Sequence, residues 1–324
     1  MCIRDSTKDQ QKTLKEINND LCSSVKMFRL LQGDVGSGKT IVSLLSAFNT
    51  INSGYQVAVK APTEILARQH YNLAKTIFPK NIKIKLISGK TDYKNKKHIL
   101  NDLKNHNIDI IFGIHAIFQK KVSFKKLGLI IIDEQHKFGV NQRKKLSDKG
   151  GDNCDVLLMT ATPIPRTLTM TIYGDMDLSI IHEKPKNRKP VKTYSKLDIK
   201  VDEVIKFIKK EINLGNQIFW VCPLIEESKK LDHTSAIKKF EYLKKLFPNQ
   251  VLLLHGKTDT EEKEEILNKF QKNNFKILVS TTIIDCLLYT SDAADDSLRV
   301  DLGGRRIIKK GNNVCVVRCG GCER

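Results

Sequence analysis

The chain alternates short apolar runs with longer segments of helical spacing, and this alternation is its clearest structural signal. Segments such as Ile41–Ile51 and Ile65–Ile77 repeat apolar residues at helical intervals. The apolar runs of strand length in the first half are Phe28–Leu31, Val57–Val59, Ile82–Ile87, Ile108–Phe112, Leu127–Ile132 and Val156–Met159. Continuous apolar strands that alternate with helices predict a parallel sheet covered on both faces. Such sheets bind ligands at the carboxyl ends of their strands.

A charged segment with two prolines, Glu183–Pro190, interrupts the alternation and predicts an exposed connector. The pattern then restarts, with helices predicted over Val201–Ile212, Ile237–Leu246 and Glu261–Phe270 and strands over Gln217–Val221, Val251–Leu254 and Phe275–Ser280. We therefore predict an α/β protein with two parallel-sheet domains, at residues 7–182 and 193–285, joined by a linker at residues 183–192.

The two ends of the chain do not follow this pattern. Residues 1–6, MCIRDS, and residues 286–324, which begin CLLYTSDAADD, resemble translated sequencing-adapter text. We interpret both segments as non-native and leave them out of the fold prediction. The second domain is then expected to be incomplete, with an unpaired sheet edge.

Composition narrows the class of protein. The 324 residues suffice for two domains with cores, and 40% hydrophobic with 28% charged residues is ordinary globular composition. No apolar run approaches the roughly 20 residues that cross a bilayer, and the first residues contain no apolar signal segment. We expect a cytoplasmic protein with no membrane partner.

Charge and cysteine content leave the partner open. A net charge of +20 favours polyanions, yet the many Lys, Ile and Asn residues are also typical of an AT-rich genome. The eight scattered cysteines predict reduced core thiols rather than disulfides. Cys315, Cys319 and Cys322 lie close together but lack the fourth ligand of a structural zinc site, and they fall in the excluded tail.

The strongest chemical signal is the sequence GDVGSGKT, which lies between a predicted strand and a predicted helix. Glycines let the backbone wrap around a phosphate, and the amides and the helix N-terminus favour its charge. Lys39 is expected to reach the β- and γ-phosphates of ATP, and Thr40 to ligate Mg²⁺. The predicted ATP-binding residues of this loop are Gly33, Asp34, Val35, Gly36, Ser37, Gly38, Lys39 and Thr40.

A second signal is the acidic pair Asp133 and Glu134, which follows the apolar strand at Leu127–Ile132. Asp133 is placed to hold Mg²⁺ through water, and Glu134 to act as general base on the attacking water. Acidic pairs after strands are common on protein surfaces. Together with the phosphate-binding loop, however, the pair indicates ATP hydrolysis.

These motifs and others in the same order resemble the superfamily-two helicases. DEQH at residues 133–136 matches their Asp-Glu-x-His pattern, APTEILARQ at 61–69 resembles motif Ia, TATPIPRT at 160–167 resembles motif III, and TKDQ at 7–10 resembles the Q motif. Within this group the chain is similar to the RecG family of bacterial DNA helicases. The blocks that carry this likeness are LLQGDVGSGKT at 30–40, GIHAIFQ at 113–119, FGVNQR at 138–143, GDMDLSIIH at 174–182 and CPLIEES at 222–228.

The resemblance implies two RecA-like domains, ATP with Mg²⁺ as cofactors, a branched-DNA partner such as a fork or Holliday junction, and a monomer. It implies that Gln10 contacts adenine, and that His136, Thr160 and Thr162 couple hydrolysis to DNA binding. The residues implied to contact the DNA backbone are Pro62, Thr63, Arg68, Gly113, His115, Lys257, Thr281 and Thr282. His70, His98 and His106 lie outside every motif and are expected at the surface.

The family's arginine-bearing motif VI has no counterpart after Thr281 in this sequence. Because an arginine finger contributes about 10³–10⁵-fold in rate, the chain is expected to bind ATP but to hydrolyse it poorly. Four alternatives stay open: a translocase similar to the transcription-repair coupling factor, an RNA helicase, a P-loop enzyme that phosphorylates a small molecule, and a nucleotide- or DNA-binding fragment without turnover.

Overall fold

The computed structural model of the chain divides into two compact units, residues 1–185 and 186–324. The division falls inside the segment predicted as the linker. The residues that the structure describes are 6–89, 91–114, 117, 122–133, 154–162, 176–183, 194–196, 201–222, 229–255, 258, 260–281, 297–302 and 314–319.

The first unit is built on a seven-stranded sheet of order β3-β4-β2-β5-β6-β1-β7, with every neighbouring pair parallel. Its strands are β1 Phe28–Gly33, β2 Gln56–Lys60, β3 Ile84–Ile87, β4 Ile110–Gly113, β5 Leu127–Ile132, β6 Asp155–Thr160 and β7 Asp177–Ile181. Its helices are α1 Lys8–Leu21, α2 Lys39–Asn52, α3 Glu64–Ile77 and α4 Tyr93–Lys104. The predicted α/β fold is therefore confirmed.

Both faces of this sheet are buried, as the continuous apolar runs predict. Neighbouring residues of one strand belong to opposite cores: Leu31 packs in one cluster and Leu30 in the other. The same holds in β5, where Ile131 lies on one side and Ile130 on the other. Alternate side chains of a strand point to opposite faces, so each apolar strand supplies two cores at once.

Helix α1 and strand β7 were not predicted as elements, and a buried arginine joins them to β1. Arg29 is 8% exposed. Its Nε donates to Asp20 of α1 at 2.6 Å, and its Nη1 donates to Ser179 of β7 at 2.8 Å. A buried guanidinium needs such partners because an unpaired charge is costly to desolvate. An arginine inside an apolar strand run was the available sequence signal.

The second unit contains a six-stranded sheet of order β10-β11-β9-β13-β12-β8. Its strands are β8 Tyr194–Lys196, β9 Gln217–Cys222, β10 Val251–Leu254, β11 Ile277–Thr281, β12 Ser297–Leu302 and β13 Val314–Cys319. Its helices are α5 Val201–Asn213, α6 Lys229–Leu246 and α7 Thr260–Gln271. Trp220 is fully buried in β9 and belongs to the core of this unit.

Strands β12 and β13 come from the tail that we left out of the fold prediction. β13 pairs with β9, where Val317 lies opposite Trp220, and β12 pairs with β8. The fold prediction therefore contained neither strand. Valine-rich segments favour strands, and β9 offers backbone groups that a further strand can pair. The non-native origin of this segment stays a prediction.

Within the described ranges, no helix is long and apolar enough to cross a bilayer. Those same ranges contain no group of three His, Cys, Asp or Glu side chains that could hold a metal ion. Cys154 and Cys222 are buried free thiols, as predicted, but Cys22 is exposed because it lies at the end of α1. Lys94 and Lys97 are exposed on α4.

The first residue of β2 is a buried glutamine that satisfies four backbone groups. Gln56 Nε2 donates to the carbonyls of Leu103 and Ile108 at 3.0 and 2.8 Å. Its Oε1 accepts from the amides of Lys125 and Lys126 at 2.9 and 3.1 Å. One side chain thus joins the last turn of α4 and the approach to β5 to the sheet.

The first residue of β9 is also a glutamine, and it serves the second unit in a similar way. Gln217 Nε2 donates to the carbonyl of Phe270 in α7 at 2.6 Å and to that of Phe275 at 3.0 Å. Each glutamine therefore ties the end of a helix, and the segment after it, to the start of a strand.

We expect Gln217→Leu to destabilise the second unit by about 2–6 kcal/mol, because two carbonyls lose their donor at about 1–3 kcal/mol each. Trp220 is the only tryptophan of the sequence and is buried in this unit. Urea unfolding followed by its fluorescence should therefore shift to lower urea. Gln56→Leu is the matched variant in the first unit and should leave the tryptophan midpoint unchanged while it accelerates amide exchange in β2. An unchanged midpoint for Gln217→Leu would contradict the structure.

Thiol reactivity should follow burial. Burial raises the pKa of the Cys154 thiol to about 12, so its thiolate stays scarce even at about pH 10. We expect iodoacetamide to modify exposed Cys22 readily and Cys154 only after unfolding in urea, as read by peptide mass spectrometry. Native labelling of Cys154 that matched Cys22 would show that this edge of the core opens readily.

Candidate nucleotide-binding site

The loop after β1 has the backbone form that its glycines permit. Gly36 and Gly38 have φ values of 78° and 89°, which residues with a side chain rarely adopt. The amide of Ser37 donates to the Asp34 carbonyl at 3.2 Å and closes the turn. Helix α2 begins at Lys39, directly after Gly38, and no side chain caps its N-terminus. The backbone amides and the helix dipole at a helix N-terminus suit an anion.

Two side chains inside the loop are placed to meet a phosphate. Lys39 Nζ donates to the carbonyls of Gly33 and Asp34 at 2.8 and 2.9 Å, so its ammonium lies within the loop. Ser37 Oγ is buried without a hydrogen-bond partner in the described part of the chain. A buried hydroxyl of this kind requires a partner, and a phosphate oxygen can provide one.

Gln10 lies against this loop, as its predicted role in nucleotide binding requires. Its Nε2 donates to the Ser37 carbonyl at 2.8 Å. The same side chain belongs to a capping box, in which its Oε1 accepts from the Thr7 amide at 3.1 Å. A Cβ at Gly38 would stand 2.3 Å from Gln10 Nε2. The contact of Gln10 with adenine stays a prediction.

Asp133 follows β5 and is held from two sides. Its amide donates to the carbonyl of Lys60 at the end of β2, at 2.9 Å. Its Oδ2 lies 2.8 Å from Nε2 of His70 in α3. The side chains of both residues are about nine-tenths buried. The expectation that His70 lies at the surface was therefore wrong.

The sequence contained a signal for the burial of His70. The buried residues of α3 are Leu66, Ala67, His70 and Ala74, which share one helix face. His70 thus occupies a core position in the helical period, and only its polar ring suggested exposure. The other two histidines differ: His98 is exposed, and His106 is half-buried with a φ of 62°.

Lys60 is a further residue that the sequence analysis missed. It ends β2, is only 2% exposed, and its burial lowers the pKa to about 8. A charged residue at the last position of an otherwise apolar strand was the available signal, since that position is where functional groups of parallel sheets collect.

Thr160 ends β6 and Thr162 follows two residues later. Their hydroxyls lie 2.8 Å apart, and the Thr162 amide donates to Thr160 Oγ1 at 3.2 Å. Strand β6 lies between β5 and β1 in the sheet, and Thr160 is the partner of Gln32 in β1. The phosphate-binding loop, Thr160 and Asp133 therefore follow three neighbouring strands at the same edge.

The residues predicted to contact DNA have structural roles where they are described. Thr63 caps α3 by accepting from the Leu66 amide at 3.3 Å. Arg68 is 43% exposed in its side chain and pairs with Glu64 at 3.3 Å. A Cβ at Gly113 would stand 2.6 Å from the Ile87 carbonyl, so packing by itself requires glycine there.

The remaining predicted contacts are less informative. Pro62 is half-buried ahead of α3, and Thr281 ends β11 opposite Cys222. The predicted site residues Glu134, His136, His115, Lys257 and Thr282 lie outside the described residues.

Comparisons with known proteins agree with this arrangement. A family model described as DEAD/DEAH box helicase matches residues 7–171, and one described as helicase conserved C-terminal domain matches residues 199–286. The chain is 46% identical over 282 residues to the ATP-dependent DNA helicase RecG of Bacillus subtilis, a match that covers 86% of this chain and 41% of that protein. The RecG of Aquifex aeolicus is 48% identical over 282 residues, with 86% of this chain and 36% of that protein covered.

A solved structure of RecG bound to a three-way DNA junction is also similar. It is 40% identical, with a TM-score of 0.68, and the match covers 86% of this chain and 36% of that one. The chain thus spans about two fifths of the length of the curated relatives that it matches.

We expect Gly38→Ala to weaken ATP binding by about 5–150-fold, because the new methyl group meets Gln10 and strains the loop at about 1–3 kcal/mol. Gly54→Ala is the matched control. Its φ of 79° brings similar strain, but a Cβ there meets nothing within 4 Å. Titration with a fluorescent ATP analogue should separate the two. Equal ATP affinities for the Gly38→Ala and Gly54→Ala variants would show that the loop is not part of the binding site.

Proposed function

Since this chain belongs to the DEAD/DEAH box helicase family, we propose that it forms the ATP-driven motor of a DNA helicase of RecG type that remodels forks and Holliday junctions. One observation carries this proposal. The phosphate-binding loop, Thr160 and Asp133 follow the adjacent strands β1, β6 and β5 at one edge of a parallel sheet. That edge is where such sheets bind their ligands.

Binding of the triphosphate is assigned to the loop of residues 33–40. The backbone amides and the N-terminus of α2 neutralise the phosphates. Lys39, which already lies within the loop, exchanges its carbonyl partners for phosphate oxygens. Gln10 holds the loop from the side of α1 through Ser37. These contacts position the terminal phosphate for in-line attack.

The donor set at this edge fits Mg²⁺. Thr40 offers a hydroxyl and Asp133 a carboxylate, and hard oxygen ligands are those that Mg²⁺ prefers. His70 occupies Oδ2 of Asp133 and leaves Oδ1 for the metal or its water. When bound, Mg²⁺ neutralises charge that develops on the phosphate oxygens. Glu134 is proposed as the general base that takes a proton from the attacking water.

Coupling and DNA contact are assigned to the neighbouring strand ends. The bonded hydroxyls of Thr160 and Thr162, together with His136, are proposed to relay the state of the nucleotide. Pro62, Thr63, Arg68, Gly113, His115, Lys257, Thr281 and Thr282 are proposed to lie along the DNA backbone. Arg68 is the best supported of these, because its half-buried side chain is still 43% exposed to solvent. Contacts of this kind with phosphates supply affinity without reading sequence. We place the whole protein in the bacterial cytoplasm.

We propose the branched-DNA substrate on the basis of the similarity to RecG proteins. The chain is similar to proteins named ATP-dependent DNA helicase RecG and to one RecG solved on a three-way DNA junction. The same likeness favours DNA over RNA and over a small phosphate acceptor. The given sequence contains no arginine-rich motif VI, so nucleotide binding is the first property to test and turnover the second.

We expect the chain to bind a fluorescent ATP analogue in Mg²⁺, and Lys39→Ala to weaken binding by at least about 10-fold because a charge-assisted contact to phosphate is lost. Lys12→Ala, at a side chain that is 76% exposed on α1, is the matched control and should bind normally. Affinity for forked DNA without nucleotide should be equal in all three proteins.

Phosphate release then separates the function classes. Forked DNA should raise any ATP turnover more than linear duplex or single-stranded RNA does, and Lys39→Ala should abolish the rise. An ATP turnover rate that nucleic acid does not change, with transfer of phosphate to a small acceptor, would contradict the proposal of a helicase motor. A stronger response to RNA than to forked DNA would redirect the proposal to an RNA helicase.

A further inference from the structure

The contact between His70 and Asp133 joins a residue outside every predicted motif to the acidic pair that follows β5. His70 lies in α3, seven residues after the helix cap Thr63. Asp133 lies at the end of β5, at the edge that carries the phosphate-binding loop. Nε2 and Oδ2 are 2.8 Å apart, and the two side chains are 10% and 11% exposed. The contact is therefore short and largely shielded from water.

The direction of this hydrogen bond follows from chemistry. A carboxylate without a proton can only accept, so the tautomer of His70 with a proton on Nε2 is the one that donates to Oδ2. A buried charge-assisted bond of this kind is stronger than one in water. It removes the rotational freedom of the carboxylate, because one oxygen is held by the ring while the backbone amide is held by Lys60.

Packing in turn fixes the position of the His70 ring. His70 shares the buried face of α3 with Leu66, Ala67 and Ala74. Helix α3 packs against β3 and β4 of the same sheet, and His70 is 8% exposed, so the ring is enclosed by packed neighbours. A side chain locked in this way can set the orientation of a metal ligand more closely than a mobile one.

We propose that His70 is a positioning residue for the magnesium site: by holding Oδ2, it presents Oδ1 of Asp133 to the metal or to its bound water. The proposal rests on the proposed function, since it assumes Mg²⁺·ATP at this edge of the sheet. His70 itself touches neither nucleotide nor metal. Its effect is therefore expected in the Mg²⁺ requirement and not in the contacts of the loop with phosphate.

The test is the free Mg²⁺ concentration that half-saturates binding of a fluorescent ATP analogue to the full chain. His70→Leu removes the donor but keeps an apolar helix face, and it should raise this concentration by about 10–100-fold, as loss of such outer partners does elsewhere. Affinity for the analogue in excess EDTA should stay unchanged. His70→Gln, whose amide nitrogen reaches the place of Nε2, should stay within about 3-fold of the unsubstituted chain.

A double-mutant cycle separates positioning from simple stability. If His70 acts through Asp133, then His70→Leu should add nothing to the Mg²⁺ requirement in an Asp133→Asn background. A full additional effect in that background would overturn the proposal. Should His70→Leu fail to fold, His70→Asn replaces it, because its shorter amide keeps a polar group but does not reach Oδ2.

The outcomes distinguish this inference from the proposed function. If the unsubstituted chain shows no Mg²⁺-dependent nucleotide binding, the proposed function fails and His70 has no metal site to position. If that chain binds normally and His70→Leu or His70→Asn keeps the same Mg²⁺ requirement, the positioning role alone is overturned. Equal losses in His70→Leu and His70→Gln would also overturn it, since the hydrogen bond would then not be the cause.

Discussion

The first unit depends on one constraint, which is that all strands of its sheet are parallel. Parallel strands must all end at the same edge, and covering helices must return the chain across both faces. The loops after β1, β5 and β6 are therefore brought together by topology before any side chain acts. Residues 33–40, Asp133 and Thr160 lie at the same edge of the sheet for this reason. The apolar strands that enforce the parallel sheet are thus also what assembles the candidate site.

Polar groups inside this apolar frame set its finer geometry. Arg29 joins α1 and β7 to β1, and α1 in turn delivers Gln10 to the phosphate-binding loop. Gln56 and Gln217 each join the end of a helix to the start of a strand. Each of these side chains is buried or half-buried and has partners, as the cost of desolvation demands. Helix positions relative to the strand ends follow from such bonds.

The strands and helices of the frame could be predicted from the sequence because apolar periodicity reports burial directly. The predicted strand at Leu127–Ile132 and the predicted helix at Ile65–Ile77 agree with the observed elements to within one residue. Strand β7 could not be found in this way, since Asp177 and Ser179 break its apolar run. The tail strands were left out of the fold prediction because residues 286–324 resemble translated sequencing-adapter text, although valine favours strands.

The site was partly predictable for a similar reason. Glycines and a lysine at fixed spacing define a phosphate-binding loop by local chemistry, which needs no tertiary information. The His70–Asp133 contact joins residues 63 positions apart, and no local pattern encodes such a distance. Lys60 likewise gains its lowered pKa from burial that only the folded sheet creates. Residues that act locally were therefore found, and residues that act across the fold were missed.

The central claim is that a triphosphate binds against the amides around Lys39 with its metal beside Asp133. A crystal structure of the chain with Mg²⁺ and a non-hydrolysable ATP analogue tests it most directly. The account predicts phosphate oxygens on the amides of residues 36–39, and Mg²⁺ at about 2.0–2.1 Å from the Thr40 hydroxyl, with Asp133 bound to it directly or through one water. A nucleotide seated elsewhere, or a metal remote from both residues, would contradict the account.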